Sequence, residues 1–152
     1  MYLRKAAEMG IHDAYYMLSL IAKDEGNLEE AKKLRKKAAE TNTPEANHDL
    51  GLTAKRGGMT DEAEEFFRKA AEAGHPEAYL LLGIIAMEEG KIEEAKILHK
   101  KAAEMGVSEA YYLLGIIAEK DGKIQEARKR YNKAVKLGYA EAQKALNRLP
   151  KN

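Results

Sequence analysis

The 152-residue chain has no cysteine and no tryptophan, and it has only three prolines. Without cysteine there is no disulfide, no thiol nucleophile and no thiolate-bound zinc. With so few prolines, long stretches are free to be helical. No apolar run approaches the roughly 18 residues needed to cross a bilayer, and no signal-peptide pattern opens the chain, which points to a cytoplasmic protein. A surplus of either charge is missing too. The 26 basic and 25 acidic side chains are interspersed and leave a net charge of +1, whereas a phosphate-binding protein concentrates positive charge on one face.

Recognisable chemistry is equally sparse. His12, His48, His75 and His99 show no i, i+4 ligand pairing and no HExxH motif. His12-Asp13 and His48-Asp49 are sequence neighbours, and such pairs point apart on a helix instead of orienting one another. Neither an enzyme, nor a metal site, nor a cofactor is expected.

What the chain does have is a period of 32 residues. Ala14, Ala46, Ala78, Ala110 and Ala142 share that step, as do Leu18, Leu50, Leu82, Leu114 and Leu146, and Gly26, Gly58, Gly90 and Gly122. Residues 61–92 and 93–124 agree at 19 of 32 positions. A period of this size marks stacked repeats, in which one unit cannot bury its apolar face alone. Each unit reads as two helices. In residues 76–105, Gly90 separates them and Gly106 ends the second, where a left-handed residue closes the last turn. Asn42 stands at the Gly106 position in the second copy, and asparagine is the next residue to tolerate that conformation. Pro44 and Pro76 suit first turns. The connections are two or three residues long, so neighbouring helices lie antiparallel.

The spacing predicts ten helices over 2–9, 12–25, 28–40, 44–57, 60–73, 76–89, 92–105, 108–121, 124–137 and 140–148. The fold class is all-α, a right-handed α-solenoid of antiparallel helix pairs, in one domain. Its units are 11–42, 43–74, 75–106 and 107–138, with a partial unit 1–10 before them and a capping helix in 139–152. Ala78, Leu82 and Ala86 are the expected core stripe of a first helix, and Ala95, Leu98 and Ala102 that of a second.

The segments KAAEMGVSEAYYLLG (101–115) and KAAEAGHPEAYLLLG (69–83) carry an aromatic, a leucine-glycine step and an alanine pair in fixed order. In these features the chain resembles the tetratricopeptide repeat, with a Sel-one-like flavour, over essentially its whole length. The second copy departs most, with Asn47 at the aromatic position and Thr60 after the turn. The resemblance implies a protein-interaction scaffold whose first helices line a concave groove.

Side chains two residues beyond the core stripe point nearly the opposite way along a helix. They would be the groove positions: Tyr16, Leu20 and Lys23; His48, Leu52, Lys55 and Arg56; Leu80, Ile84 and Met87; Tyr112, Ile116, Glu119 and Lys120. Two readings of this stripe stand. It is either core between successive first helices, or an apolar lining rimmed by charge that takes an amphipathic helix or an extended peptide. The same face would also suit a second copy of the chain. Capture of a terminal carboxylate is not expected, because Leu20, Leu52, Ile84 and Ile116 occupy the row where the resemblance would place the clamping asparagines and lysines. An RNA-reading array is a weak rival, since its polar lining positions are here leucine, isoleucine and tyrosine. Asn47-His48-Asp49 reads as a drifted copy or a polar spot in the groove. The run Lys32, Lys33, Arg35, Lys36, Lys37 reads as a solvated outer wall. Met1 falls where other copies are already inside a helix, so upstream sequence is expected, while the uniform step also fits an engineered array.

Overall fold

The computed structural model describes residues 1–151, which fall into two compact units divided between His75 and Pro76. The first contains α1 (Tyr2–Glu8), α2 (His12–Asp24), α3 (Leu28–Ala39), α4 (Pro44–Arg56) and α5 (Thr60–Glu72). The second contains α6 (Pro76–Glu88), α7 (Ile92–Glu104), α8 (Ser108–Lys120), α9 (Ile124–Lys136) and α10 (Glu141–Arg148). Every boundary lies within a residue of the one read from the sequence. No helix among the described residues is long and apolar enough to cross a membrane.

The boundaries are set by local chemistry. The Asn27 side chain accepts the Glu30 amide at 3.3 Å, and Thr43 accepts that of Ala46 at 3.1 Å ahead of Pro44. The ends close as expected. Gly106 has a φ of +92°, and the Val107 amide reaches back to the Ala102 carbonyl at 3.0 Å. Asn42 takes the same left-handed role with a φ of +39°.

In the first unit α2 packs on α3, α4 on α5, and α2 directly against α4. In the second, α6 pairs with α7 and α8 with α9, α7 also meets α8, and α10 closes on α9. The predicted stripe of Ala78, Leu82 and Ala86 is buried, as are Ala95 and Ala102. Leu98 is only half-buried, and its neighbour His99 is fully enclosed instead. The inward direction of α7 therefore runs through 95, 99 and 102.

That change follows from a contact built into three of the helix pairs. Gly51, Gly83 and Gly115 lie in the first helices, and the rings of Phe67, His99 and Tyr131 pack closely against them. A Cβ built on Gly51 or Gly83 would come within 2.5 Å of the facing ring, and one on Gly115 would collide with Tyr131. An added methyl there overpacks the core, at a typical cost of about 1–3 kcal/mol. The glycine of the leucine-glycine step is thus a socket for one ring of the partner helix. The α2–α3 pair lacks it. Ser19 is fully buried and donates to the Tyr16 carbonyl at 2.6 Å, while Arg35, at the ring position, forms an ion pair with Glu62 at 2.8 Å. Arg35 is therefore not part of a solvated wall; the Glu62 carboxylate on α5 draws it inward.

Candidate functional site

The positions expected to line a binding face divide into an open set and an enclosed set. In the first unit, Tyr16 is wholly buried. Its ring meets Phe66 edge-on at 5.6 Å, and its hydroxyl donates to Glu62 at 2.5 Å. Burial, and then the carboxylate it faces, push its pKa up. Tyr16 is a core residue and not a lining one, because Phe66 and Glu62 fill the space a ligand would need. Leu20 and Leu52 are half-buried, with Leu20 resting over Gly57, where any Cβ would come within 2.7 Å of it. Lys23 is exposed, its Nζ 2.9 Å from the Met59 sulfur; Lys55 is half-buried. Arg56 is exposed and donates to Thr53 Oγ1 at 3.2 Å, and Thr53 in turn donates to Asp13 at 2.6 Å.

His48 is half-buried and stacks on His75, with centroids 4.3 Å apart and planes 13° from parallel. His48 Nδ1 also lies 3.4 Å from Asp49, and His12 Nε2 lies 3.7 Å from the same carboxylate. The sequence had implied that adjacent histidine and aspartate diverge. The short reach from His48 to its own neighbour overrides that, and three of the four histidines gather in this unit. Asn47 is buried and donates to Asn42 at 3.0 Å, a local tie behind the turn and not a polar spot on a binding face. Among the described residues no group of three or more His, Asp or Glu is arranged to hold a metal ion.

In the second unit Leu80 is buried among Ala102, Ala103, Ala110 and Leu114, so it joins α6 to α7 and α8 instead of facing a ligand. Ile84 packs half-buried against the same cluster. Tyr112 is half-buried between Tyr131 and Tyr139, at 5.6 and 5.1 Å. Ile116 covers the α9–α10 core and stays partly open. Met87 is half-buried with its sulfur 3.4 Å from His99 Nε2. Glu119 occupies the matching place in α8 and accepts from Tyr131 Oη at 2.7 Å and Arg148 at 3.1 Å. Those two donors, Tyr131 foremost, hold its carboxyl below the usual carboxylate range. Glu119 is committed inside the molecule. Lys120 is exposed.

His99 is the residue that sequence reasoning passed over. It is fully enclosed, and burial pushes its pKa down to about 4, so the ring is neutral at pH 7. The available signal was its 32-residue distance from Phe67 and from Tyr131.

The helix pairs and their closing turns recur where family models of the tetratricopeptide repeat match, at residues 12–42, 44–73, 76–105 and 108–138, and the last three of these matches also carry the glycine socket. The chain belongs to the tetratricopeptide-repeat family. Its fold is shared with a Sel1 repeat protein from Oxalobacter formigenes, at 28% identity and a TM-score of 0.62 over 95% of this chain. The chain spans 64% of that protein's length. A protective antigen of uropathogenic Escherichia coli with an SLR fold aligns at 24% identity and a TM-score of 0.64, over 95% of this chain and 35% of its own. YrrB, a TPR protein with an unusual peptide-binding site, aligns at 22% identity and 0.58, over 93% and 78%. The last two likenesses concern the fold alone. No curated protein matches the chain in sequence. As a class, tetratricopeptide and Sel1 repeats are generally vehicles of protein–protein interaction.

Proposed function

We propose that the chain is a non-catalytic scaffold whose first helices, α2 and α4 in one unit and α6 and α8 in the other, hold a peptide or helix of a protein partner. One observation carries the reading. Leu20, Leu52, Ile84 and Ile116 stand at the same place in four successive repeats, and each keeps part of an apolar side chain open. Within the first unit exposed Lys23 and Arg56 border Leu20 and Leu52, and within the second exposed Lys120 borders Ile116, in each case an apolar patch edged by charge. YrrB's described peptide-binding site is in keeping with this use of the fold.

The test is a variant carrying Ile84→Glu and Ile116→Glu. Neither residue is fully buried, so the circular dichroism of the wild type is expected to persist. An amphipathic peptide selected by display on the wild-type chain is expected to bind the variant at least about tenfold more weakly, a difference of about 1.4 kcal/mol. Unchanged binding would overturn the reading. If light scattering instead shows a wild-type dimer that the variant cannot form, the row serves contact between two copies of the chain.

A further inference from the structure

We propose that the outward ridge of α9, together with Tyr111 of α8, is a second docking surface, separate from the row above, and that it takes an acidic segment of a protein partner. α9 carries Arg128, Lys129, Arg130, Lys133 and Lys136 against a single acid, Glu126. The equivalent helix α7 balances Lys96, Lys100 and Lys101 against Glu93, Glu94 and Glu104. α5 is net acidic, with Asp61, Glu62, Glu64, Glu65 and Glu72 against Arg68 and Lys69.

Two ridge positions account for much of the contrast. Where α9 has Gln125, the other three full second helices have Glu29, Asp61 and Glu93. Where it has Lys136, the other copies have Glu40, Glu72 and Glu104. Gln125, Lys129, Asn132 and Lys136 follow i, i+4, i+7, i+11, a single stripe of a helix, and all four are exposed. Neither Lys129 nor Lys136 has an acidic partner among the described residues. The stripe borders a surface hollow of about 560 Å³ that Tyr111 also lines. Its cations and amides can all donate to carboxylates, and charge-assisted bonds of this kind are stronger than neutral ones.

The same features disfavour other anions. Tyr111 is the only aromatic lining the hollow, and Lys133 lies over its ring at 6.0 Å from the centroid, so a nucleic-acid base has no open face to stack on. A membrane-surface helix needs its apolar face exposed, whereas Ala127, Tyr131 and Ala134 are buried. The basic run on α3 is no equivalent. It keeps Glu29 and Glu30 in its first turn and Glu40 just after its end, and its Arg35 is taken up by Glu62.

The test measures fluorescence anisotropy of a labelled glutamate-rich peptide on the full chain. The wild type is expected to bind it, more weakly as salt is raised. Lys129→Glu with Lys136→Glu is expected to weaken binding at least about tenfold, since reversing a rim charge replaces attraction by repulsion. The neutral pair Lys129→Gln with Lys136→Gln is expected to fall between the two, with helix content unchanged in both. Lys33→Glu with Lys36→Glu on α3, and Ile84→Glu with Ile116→Glu, are expected to leave the affinity within about twofold of wild type. Absence of wild-type binding, or equal losses from the α3 and α9 variants, overturns the proposal. So does tighter binding of a single-stranded oligonucleotide, or of phosphatidylserine vesicles, than of the peptide. Unchanged binding of the selected amphipathic peptide by the Ile84→Glu, Ile116→Glu variant, together with these α9 results, would refute the proposed function and leave this surface standing.

Discussion

At Gly83 the ring of His99 lies as Phe67 lies on Gly51 and Tyr131 on Gly115, and of the three it alone can take up a proton as the solution turns acid. Its folded-state pKa is pushed down to about 4 from the ordinary 6.5, so between those values the unfolded chain binds more protons than the folded one. Stability is therefore full above pH 6.5 and is lost as pH falls toward 4, by an amount of up to about 3 kcal/mol. Urea titrations across that interval are expected to show the loss in the wild type. A His99→Phe variant, which copies the socket of Phe67, is expected to lose that share of the pH dependence; an unchanged profile would place the proton elsewhere. The period alone locates His99 in the series of ring positions. Its burial was hidden because a lone histidine running into Lys100 and Lys101 looks like surface.

At the scale of elements, Glu119 is the tie that joins α8, α9 and α10, through Tyr131 Oη and Arg148. Arg148 is mostly exposed and adds little. Tyr131 is fully buried, and without its acceptor the hydroxyl would be left unpaired. Glu119→Ala is expected to destabilise the chain by about 1–3 kcal/mol and to speed amide exchange in α10. Adding Tyr131→Phe is expected to restore part of that loss, since removing both partners of a buried bond costs less than removing one. The helices themselves were legible from sequence because their ends are local events: Asn27 caps three residues ahead, and Asn42 or Gly106 closes its own turn. The row proposed for binding was legible only in part. Tyr16 is sealed by Glu62, 46 residues away, and Leu80 by residues of two other helices, and neither partner leaves a mark in the local pattern. The approach of His12 and His48 to Asp49 and the stacking of His75 on His48 escaped notice for the same reason: they depend on side-chain reach between α2, α4 and the turn after α5.

At the scale of the whole molecule, a near-neutral balance hides strong local differences between second helices. The isoelectric point of about 7.8 sits close to physiological pH, where mutual repulsion between molecules is weakest. Static light scattering is expected to show the least repulsion near pH 7.8. The Lys129→Glu, Lys136→Glu pair takes the formal charge from +1 to −3, two units per substitution, and is expected to move that minimum to lower pH. A minimum that stays in place would mean apolar contacts, such as those offered by exposed Tyr2 and Met9, govern association. Within each unit, the sockets at Gly51, Gly83 and Gly115 place three chemically unlike rings on one unchanged backbone. An inert, a proton-accepting and a hydroxyl-bearing group are in this sense interchangeable inserts. Acid tolerance can therefore be reset one repeat at a time, by exchanging a single insert, while the framework that presents the two proposed docking surfaces stays as it is.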